Sequence, residues 1–140
     1  MDVIIRLDRW SIPVDGAQVH RLAFDWAVTF SIGPSDGPAF EIRIEQPFVL
    51  ANPKNGEALV VPGGDSSALA QLLVLVRCPV TRADAFKDGH FELELAGGYS
   101  LSVPAAEDYE PWEVVGTDGS RLVSVPGGQV ITWLGAQANG

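Results

Sequence analysis

The chain contains 140 residues, of which 46% are hydrophobic and 19% are charged, and its formal net charge is −9. Such an acidic protein repels nucleic acids and anionic membranes, and no apolar run approaches the roughly 18 residues that span a bilayer. Cys78 is the single cysteine, which excludes an intrachain disulfide. Because the N-terminal residues also lack the pattern of a secretory signal, we expect a cytoplasmic protein.

Residues 18–32 predict one long strand with a single buried face. Every second position is apolar or aromatic and the intervening positions are small or polar, which is typical of a half-buried strand. The predicted inward side chains are His20, Leu22, Phe24, Trp26, Val28, Phe30 and Ile32. A turn over residues 33–38 and a second alternating segment over residues 40–45 complete a predicted antiparallel hairpin.

The middle of the chain predicts a second hairpin and one helix. Short strands over residues 48–50 and 58–61 flank a segment rich in turn-forming residues. Asp65 or Ser66 is suited to cap a helix over residues 67–77. We expect this helix to cover the apolar face of the first hairpin.

The remainder of the chain predicts hairpins only, because glycine and proline turns separate short alternating segments. The predicted strands are 80–86, 90–95, 99–103, 112–115, 121–125 and 129–134. The sequence therefore indicates an α+β fold, mainly an antiparallel β meander of hairpins with one central α-helix packed on it. The sheet is either open or a partial barrel. We expect residues 1–135 to form a single domain and residues 136–140 to form a flexible C-terminal tail.

No arrangement of residues indicates catalysis, a metal or a cofactor. His20 and His90 are not at ligand spacing from each other or from Cys78, and no nucleophile elbow or phosphate-binding loop is present. Asp25 is expected to form an ion pair with Arg43 across the first hairpin. We therefore predict a protein that is not an enzyme.

The aromatic residues suggest a surface for a partner. Trp26 and Trp133 are expected to fill the core, whereas Tyr109 and Trp112 lie among acidic residues. An aromatic pair within an acidic loop can contact a basic protein, although a loop folded back on its own core has the same composition. The predicted partner-binding residues are Tyr109, Glu110, Trp112 and Glu113.

The last third of the chain resembles a small uncharacterised bacterial family, best represented in actinobacteria. Its members end in a Tyr-x-x-Trp segment, a glycine-rich turn, a Pro-Gly-Gly and a final strand that closes in Trp. The corresponding positions are Tyr109, Trp112, residues 116–119, residues 126–128 and Trp133. The resemblance implies no catalytic residue or cofactor. Small acidic proteins of this kind are often immunity or accessory proteins that bind a toxin, and this is an analogy.

Two functions remain open. The first is a non-enzymatic cytosolic module, immunity- or accessory-like, that presents an acidic aromatic surface to a basic protein. The alternative is a small-ligand-binding, β-barrel-like protein in which Trp26, Phe24 or Tyr99 lines a cavity. A homodimer paired through strand edges is compatible with either. A filled core favours the first, and a concave pocket of roughly 300 Å3 or more with convergent polar groups favours the second.

Overall fold

Two antiparallel β-sheets account for most of the secondary structure in residues 1–134, which are the residues that this computed structural model describes. The strands, in chain order, are β1 (Ile4–Ile5), β2 (Arg9–Ser11), β3 (Gln18–Phe24), β4 (Val28–Gly33), β5 (Phe40–Ile44), β6 (Phe48–Asn52), β7 (Gly56–Val60), β8 (Val80–Phe86), β9 (Phe91–Leu95), β10 (Tyr99–Val103), β11 (Trp112–Gly116), β12 (Arg121–Ser124) and β13 (Val130–Trp133). A short helix, α1 (Ser66–Leu69), continues into a 3-10 helix over Ala70–Leu75.

Neighbouring strands are antiparallel throughout. Sheet A has seven strands in the order β1-β2-β8-β9-β10-β6-β7, and sheet B has six in the order β13-β12-β11-β5-β4-β3. Most neighbours are consecutive hairpins, and the pairs β2 with β8, β10 with β6 and β11 with β5 connect distant parts of the chain. The predicted α+β meander of hairpins is confirmed, and within the described residues it forms two open sheets and not a closed barrel. The predicted tail, 136–140, lies outside the described residues.

The hydrophobic core lies between the inner faces of the two sheets. Sheet A contributes Phe48 and Phe91, and sheet B contributes Phe30, Phe40 and Trp112, all at most 1% exposed. The rings of Phe91 and Trp112 pack across the interface with their centroids 5.1 Å apart. This aromatic contact, together with the aliphatic side chains of the core, therefore joins the two layers.

The predicted single strand over residues 18–32 is wrong, because the segment folds into the hairpin β3–β4. Asp25 forms the turn, since its Oδ1 accepts the Ala27 N–H at 2.7 Å and its own N–H donates to the Ala27 carbonyl at 3.1 Å. Phe24 then pairs with Val28. Phe24 and Val28 are both even-numbered, so the alternation of apolar and polar residues continues across the turn at residues 25–27. The sequence pattern therefore does not reveal this turn.

The predicted helix over residues 67–77 is shorter and of mixed type. Asp65 caps its start, as predicted, and Oδ1 of this side chain accepts the Ser67 N–H at 2.8 Å. The chain then tightens into the 3-10 helix, which ends where Val76 adopts an extended conformation. The buried side chains are spaced by three residues, as three residues per turn require. They are Leu69, Leu72 and Leu75.

Two tryptophans that the sequence places in the core are exposed. Trp26 lies in the β3–β4 turn and is 83% exposed, because a turn residue points away from both sheets. Trp133 is 51% exposed on the edge strand β13, where it faces outward. The guanidinium of Arg121 lies 5.2 Å from the centroid of the Trp133 ring. The prediction that these two side chains fill the core is wrong.

Candidate functional site

One end of the two-sheet structure brings exposed aromatic rings and carboxylates together. The β3–β4 turn, the end of β5 and the loop before β11 meet there, and the Glu45 N–H donates to the Pro111 carbonyl at 2.8 Å. We call this surface the acidic aromatic rim. It consists of Phe24, Asp25, Trp26, Glu45, Tyr109, Glu110 and Glu113.

Trp26 is the most exposed aromatic side chain of the rim, and its backbone is held in place. The hydrogen bonds between Asp25 and Ala27 fix the turn. One edge of the indole lies against Gly63, where an added Cβ would stand 2.8 Å from the Cε3 atom of the ring. An open notch of about 340 Å3 lies beside the ring, and its lining also includes Phe24 and Leu69. A partner side chain can therefore pack in the notch against the indole of Trp26.

The charges of the rim are unbalanced. Its four carboxylates face two guanidinium groups, those of Arg43 and Arg121. Arg43 lies 3.8 Å from a carboxylate oxygen of Asp25 and 3.4 Å from one of Glu45, which confirms the predicted Asp25–Arg43 ion pair. These groups are largely exposed, so the ion pairs stabilise the fold little and remain open to competition from a partner.

The loop before β11 supplies the second half of the rim. Tyr109 is 45% exposed, and its hydroxyl donates to Oε1 of Gln46 at 2.9 Å. Glu110 is exposed, and Glu113 is half-buried with a carboxylate oxygen 2.5 Å from the guanidinium of Arg121. Glu110 and Glu113 therefore line one shallow pocket together with Arg43 and Glu45, and Tyr109 precedes Glu110 in the same loop.

The fourth predicted partner-binding residue, Trp112, lies in the core. Its side chain is 1% exposed, and Nε1 donates to the Gly89 carbonyl at 2.8 Å. Trp112 is in register with Ile44 of β5 and faces inward with Val114, whereas Glu113 between them faces outward. The indole is therefore unavailable to a partner, and the role predicted for Trp112 as a contact residue is corrected to a structural one.

Sequence reasoning missed Trp26 as a surface residue. The single local signal was Asp25, whose short carboxylate can accept from the backbone two residues later and so form a turn. The opposite error at Trp112 had a signal as well, since the alternation of residues 112–116 places this side chain on the same face as Val114.

The histidines and the cysteine have structural environments. Nε2 of His20 lies 2.6 Å from the Pro34 carbonyl, and the His90 ring stacks on Phe86 with centroids 4.1 Å apart. Burial raises the pKa of the Cys78 thiol, the opposite of what a nucleophile requires, although its Sγ also donates to the Ala96 carbonyl at 3.4 Å. Residues 1–134 contain no group of three or more His, Cys, Asp or Glu side chains arranged to hold a metal.

No helix in the described part of the chain has both the length and the apolar character needed to cross a membrane. The helical segments, Ser66–Leu69 and Ala70–Leu75, are both short.

The fold and the rim define an α+β protein of two facing antiparallel sheets with an exposed acidic aromatic surface. The chain belongs to a family of unknown function, DUF6188, whose model matches residues 10–134. The predicted membership of an uncharacterised family is therefore confirmed. The matched range also includes every residue of the rim. Comparisons with curated proteins and with solved structures found no match.

Proposed function

We propose that this protein is a non-enzymatic protein-binding module that presents the acidic aromatic rim to a basic partner. The observation that carries the proposal is Trp26, a large aromatic side chain that is 83% exposed on a fixed turn. Tryptophan is enriched among the residues that dominate binding energy at interfaces. A partner that covers this ring removes more apolar surface from water than one that covers any neighbouring polar side chain.

The charge of the rim favours a basic partner. Lys and Arg side chains of a partner can pair with Glu110 and Glu45, and a cation can also lie over the face of the Trp26 indole. The whole chain, at −9, adds a long-range attraction that accelerates the encounter at low salt. A small acidic domain of this kind suits an immunity or accessory role in the cytoplasm of a bacterium, where it would occlude a basic protein.

Replacing Trp26 with alanine is expected to weaken partner binding strongly without unfolding the protein. The side chain is mostly exposed, so its loss leaves the core intact, whereas removal of an interface anchor weakens binding by roughly 30-fold or more. The measurement is affinity capture from the native lysate at low salt, followed by a titration of the recovered basic protein against the parent and Trp26→Ala.

Trp133→Ala is the matched control, because Trp133 is also exposed but lies on β13, at the opposite edge of sheet B from β3. The proposal requires that this variant binds like the parent. Equal binding by the parent and Trp26→Ala, with both folded, would contradict it.

Reversing one rim charge, Glu110→Lys, is expected to slow association with the basic partner and change dissociation little. Glu110 is exposed, and rim charges act mainly on encounter, so we expect an association rate about 3- to 10-fold lower at low salt. Stopped-flow kinetics at several salt concentrations measure the effect, and the difference should shrink as salt rises.

Glu57→Lys, an identical change of charge on the exposed β7 strand, serves as the control. If both variants slow association equally, net charge and not the rim directs the encounter.

A further inference from the structure

The tip of the β6–β7 hairpin presents Asn55 directly before Gly56. Strand β6 ends at Asn52, β7 begins at Gly56, and the turn between them spans residues 53–55. All three residues of the turn and Gly56 are exposed, so water reaches the whole tip of the hairpin. The turn is not part of the acidic aromatic rim and has no role in the proposed protein contact.

The two asparagines at this tip have different environments. Oδ1 of Asn52 accepts the N–H of Lys54 at 2.8 Å and that of Asn55 at 3.4 Å, so the Asn52 side chain stabilises the turn. The residue after Asn52 is Pro53, which has no backbone N–H. The Asn55 side chain is exposed and forms no hydrogen bond within residues 1–134. Its carboxamide is therefore free to rotate towards the backbone of the next residue.

The residue after Asn55 leaves its own backbone nitrogen accessible. Gly56 has a φ of 77°, and apart from its chain neighbours no atom lies within 4 Å of the position that a Cβ would occupy. Gly56 and Asn52 form the last pair of the hairpin ladder, so this pair can open while the rest of the ladder stays closed. The nitrogen of Gly56 can therefore approach the Asn55 side chain from an open side.

We propose that Asn55 is a modification site at which spontaneous deamidation of the folded protein produces aspartate and isoaspartate. The backbone nitrogen of Gly56 loses its proton and attacks Cγ of Asn55. The new C–N bond closes a succinimide ring, and the side-chain nitrogen takes up a proton from water and leaves as ammonia. Water then opens the ring at either carbonyl, which leaves a carboxylate and releases a proton. Each conversion adds one negative charge to the turn.

Isoaspartate changes the backbone as well as the charge. Its main chain runs through Cβ and Cγ instead of the carbonyl carbon, so the turn gains one backbone atom. Pro53 of the same turn lies beside Gly98, where an added Cβ would be 3.2 Å from Cβ of Pro53. The longer turn is therefore expected to displace Pro53 from the β9–β10 turn, and amide NMR should show shifts at Gly97 and Gly98.

The test is incubation of the full folded chain in mildly alkaline buffer, followed by ion-exchange chromatography and peptide mapping by mass spectrometry. We expect an acidic species that accumulates with time, forms faster at higher pH and carries aspartate and isoaspartate at position 55. Asn52 should remain unconverted in the same map, because a proline nitrogen cannot close the ring. Mapping also separates Asn55 from the other Asn-Gly pair, at Asn139, which lies outside the described residues.

Two variants test the ring closure. Asn55→Gln keeps an exposed amide, but its longer side chain closes the larger ring slowly, whereas Gly56→Ala keeps Asn55 and places a Cβ beside the attacking nitrogen. We expect both variants to lose the species modified at position 55. Gly56→Ala strains a backbone of positive φ, and Asn55→Gln leaves that backbone unchanged, so a folded variant is available if Gly56→Ala unfolds.

A synthetic peptide of residues 52–58 serves as the unfolded reference. Conversion of this peptide without conversion of the folded chain would overturn the proposal, because the fold would then protect the site. Equal conversion of the parent and a folded Gly56→Ala would overturn it as well. So would aspartate without isoaspartate, since direct hydrolysis of the side chain, and not attack by Gly56, would then be the route.

Discussion

Gly89→Ala is expected to unfold the protein or to lower its free energy of unfolding by most of its value. Gly89 has a φ of 102°, a region that L side chains rarely adopt, and an added Cβ would lie 2.4 Å from the Gly128 carbonyl oxygen and 2.8 Å from Cβ of Ala105. Backbone strain alone costs on the order of 1–3 kcal/mol. A clash against backbone adds to that, and total stabilities are only about 5–15 kcal/mol. Urea denaturation followed by tryptophan fluorescence measures the loss.

Gly119→Ala separates the two causes. Gly119 also has a positive φ, 90°, but nothing lies within 4 Å of an added Cβ, so this variant carries the strain without the clash. We expect it to cost about 1–3 kcal/mol and to remain folded. If Gly89→Ala costs no more than Gly119→Ala, the close approach of Gly128 is not a determinant of stability.

The hairpins of the later chain could be predicted from sequence because their signals are local. Residues 91–95 and 99–103 alternate apolar and polar side chains, and Gly97 and Gly98, both with positive φ, form the turn between them. The β3–β4 turn could not be predicted in the same way. Its three-residue loop preserves the phase of the alternation, so the hydrophobic pattern is that of one strand.

The candidate site was predicted only in part, because its two halves are joined by a long-range pairing. The loop that carries Tyr109 and Glu110 follows β10 of sheet A, and it reaches Glu45 only because β11 pairs with β5. Nothing local in the sequence specifies β5 as the neighbour of β11, since other strands with alternating apolar and polar residues could also pair with β11. Trp26 was missed for the same reason as its turn. The acidic character of the loop, by contrast, follows directly from composition.

Trp112→Ala is expected to lower the free energy of unfolding by about 3–5 kcal/mol, the usual cost of removing a large buried aromatic side chain. Trp112 is 1% exposed, packs on Phe91 and donates to the Gly89 carbonyl. A loss of partner binding in this variant would therefore reflect unfolding, unlike the loss expected for Trp26→Ala. Urea denaturation and a binding titration on the folded fraction distinguish the two.

The milder variant Trp112→Phe isolates the hydrogen bond to Gly89. The same carbonyl also accepts from Oγ of Ser124 at 2.9 Å, so Trp112→Phe and Ser124→Ala each leave it one buried partner. The double variant leaves it none, and an unsatisfied buried acceptor costs about 1–3 kcal/mol. We expect the double variant to lose more free energy of unfolding than the two single losses combined. Additivity within about 0.5 kcal/mol would show that the two hydrogen bonds to this carbonyl contribute independently to stability. A loss greater than additive would show that the Gly89 carbonyl, on the β8–β9 turn of sheet A, needs at least one of these two donors from sheet B.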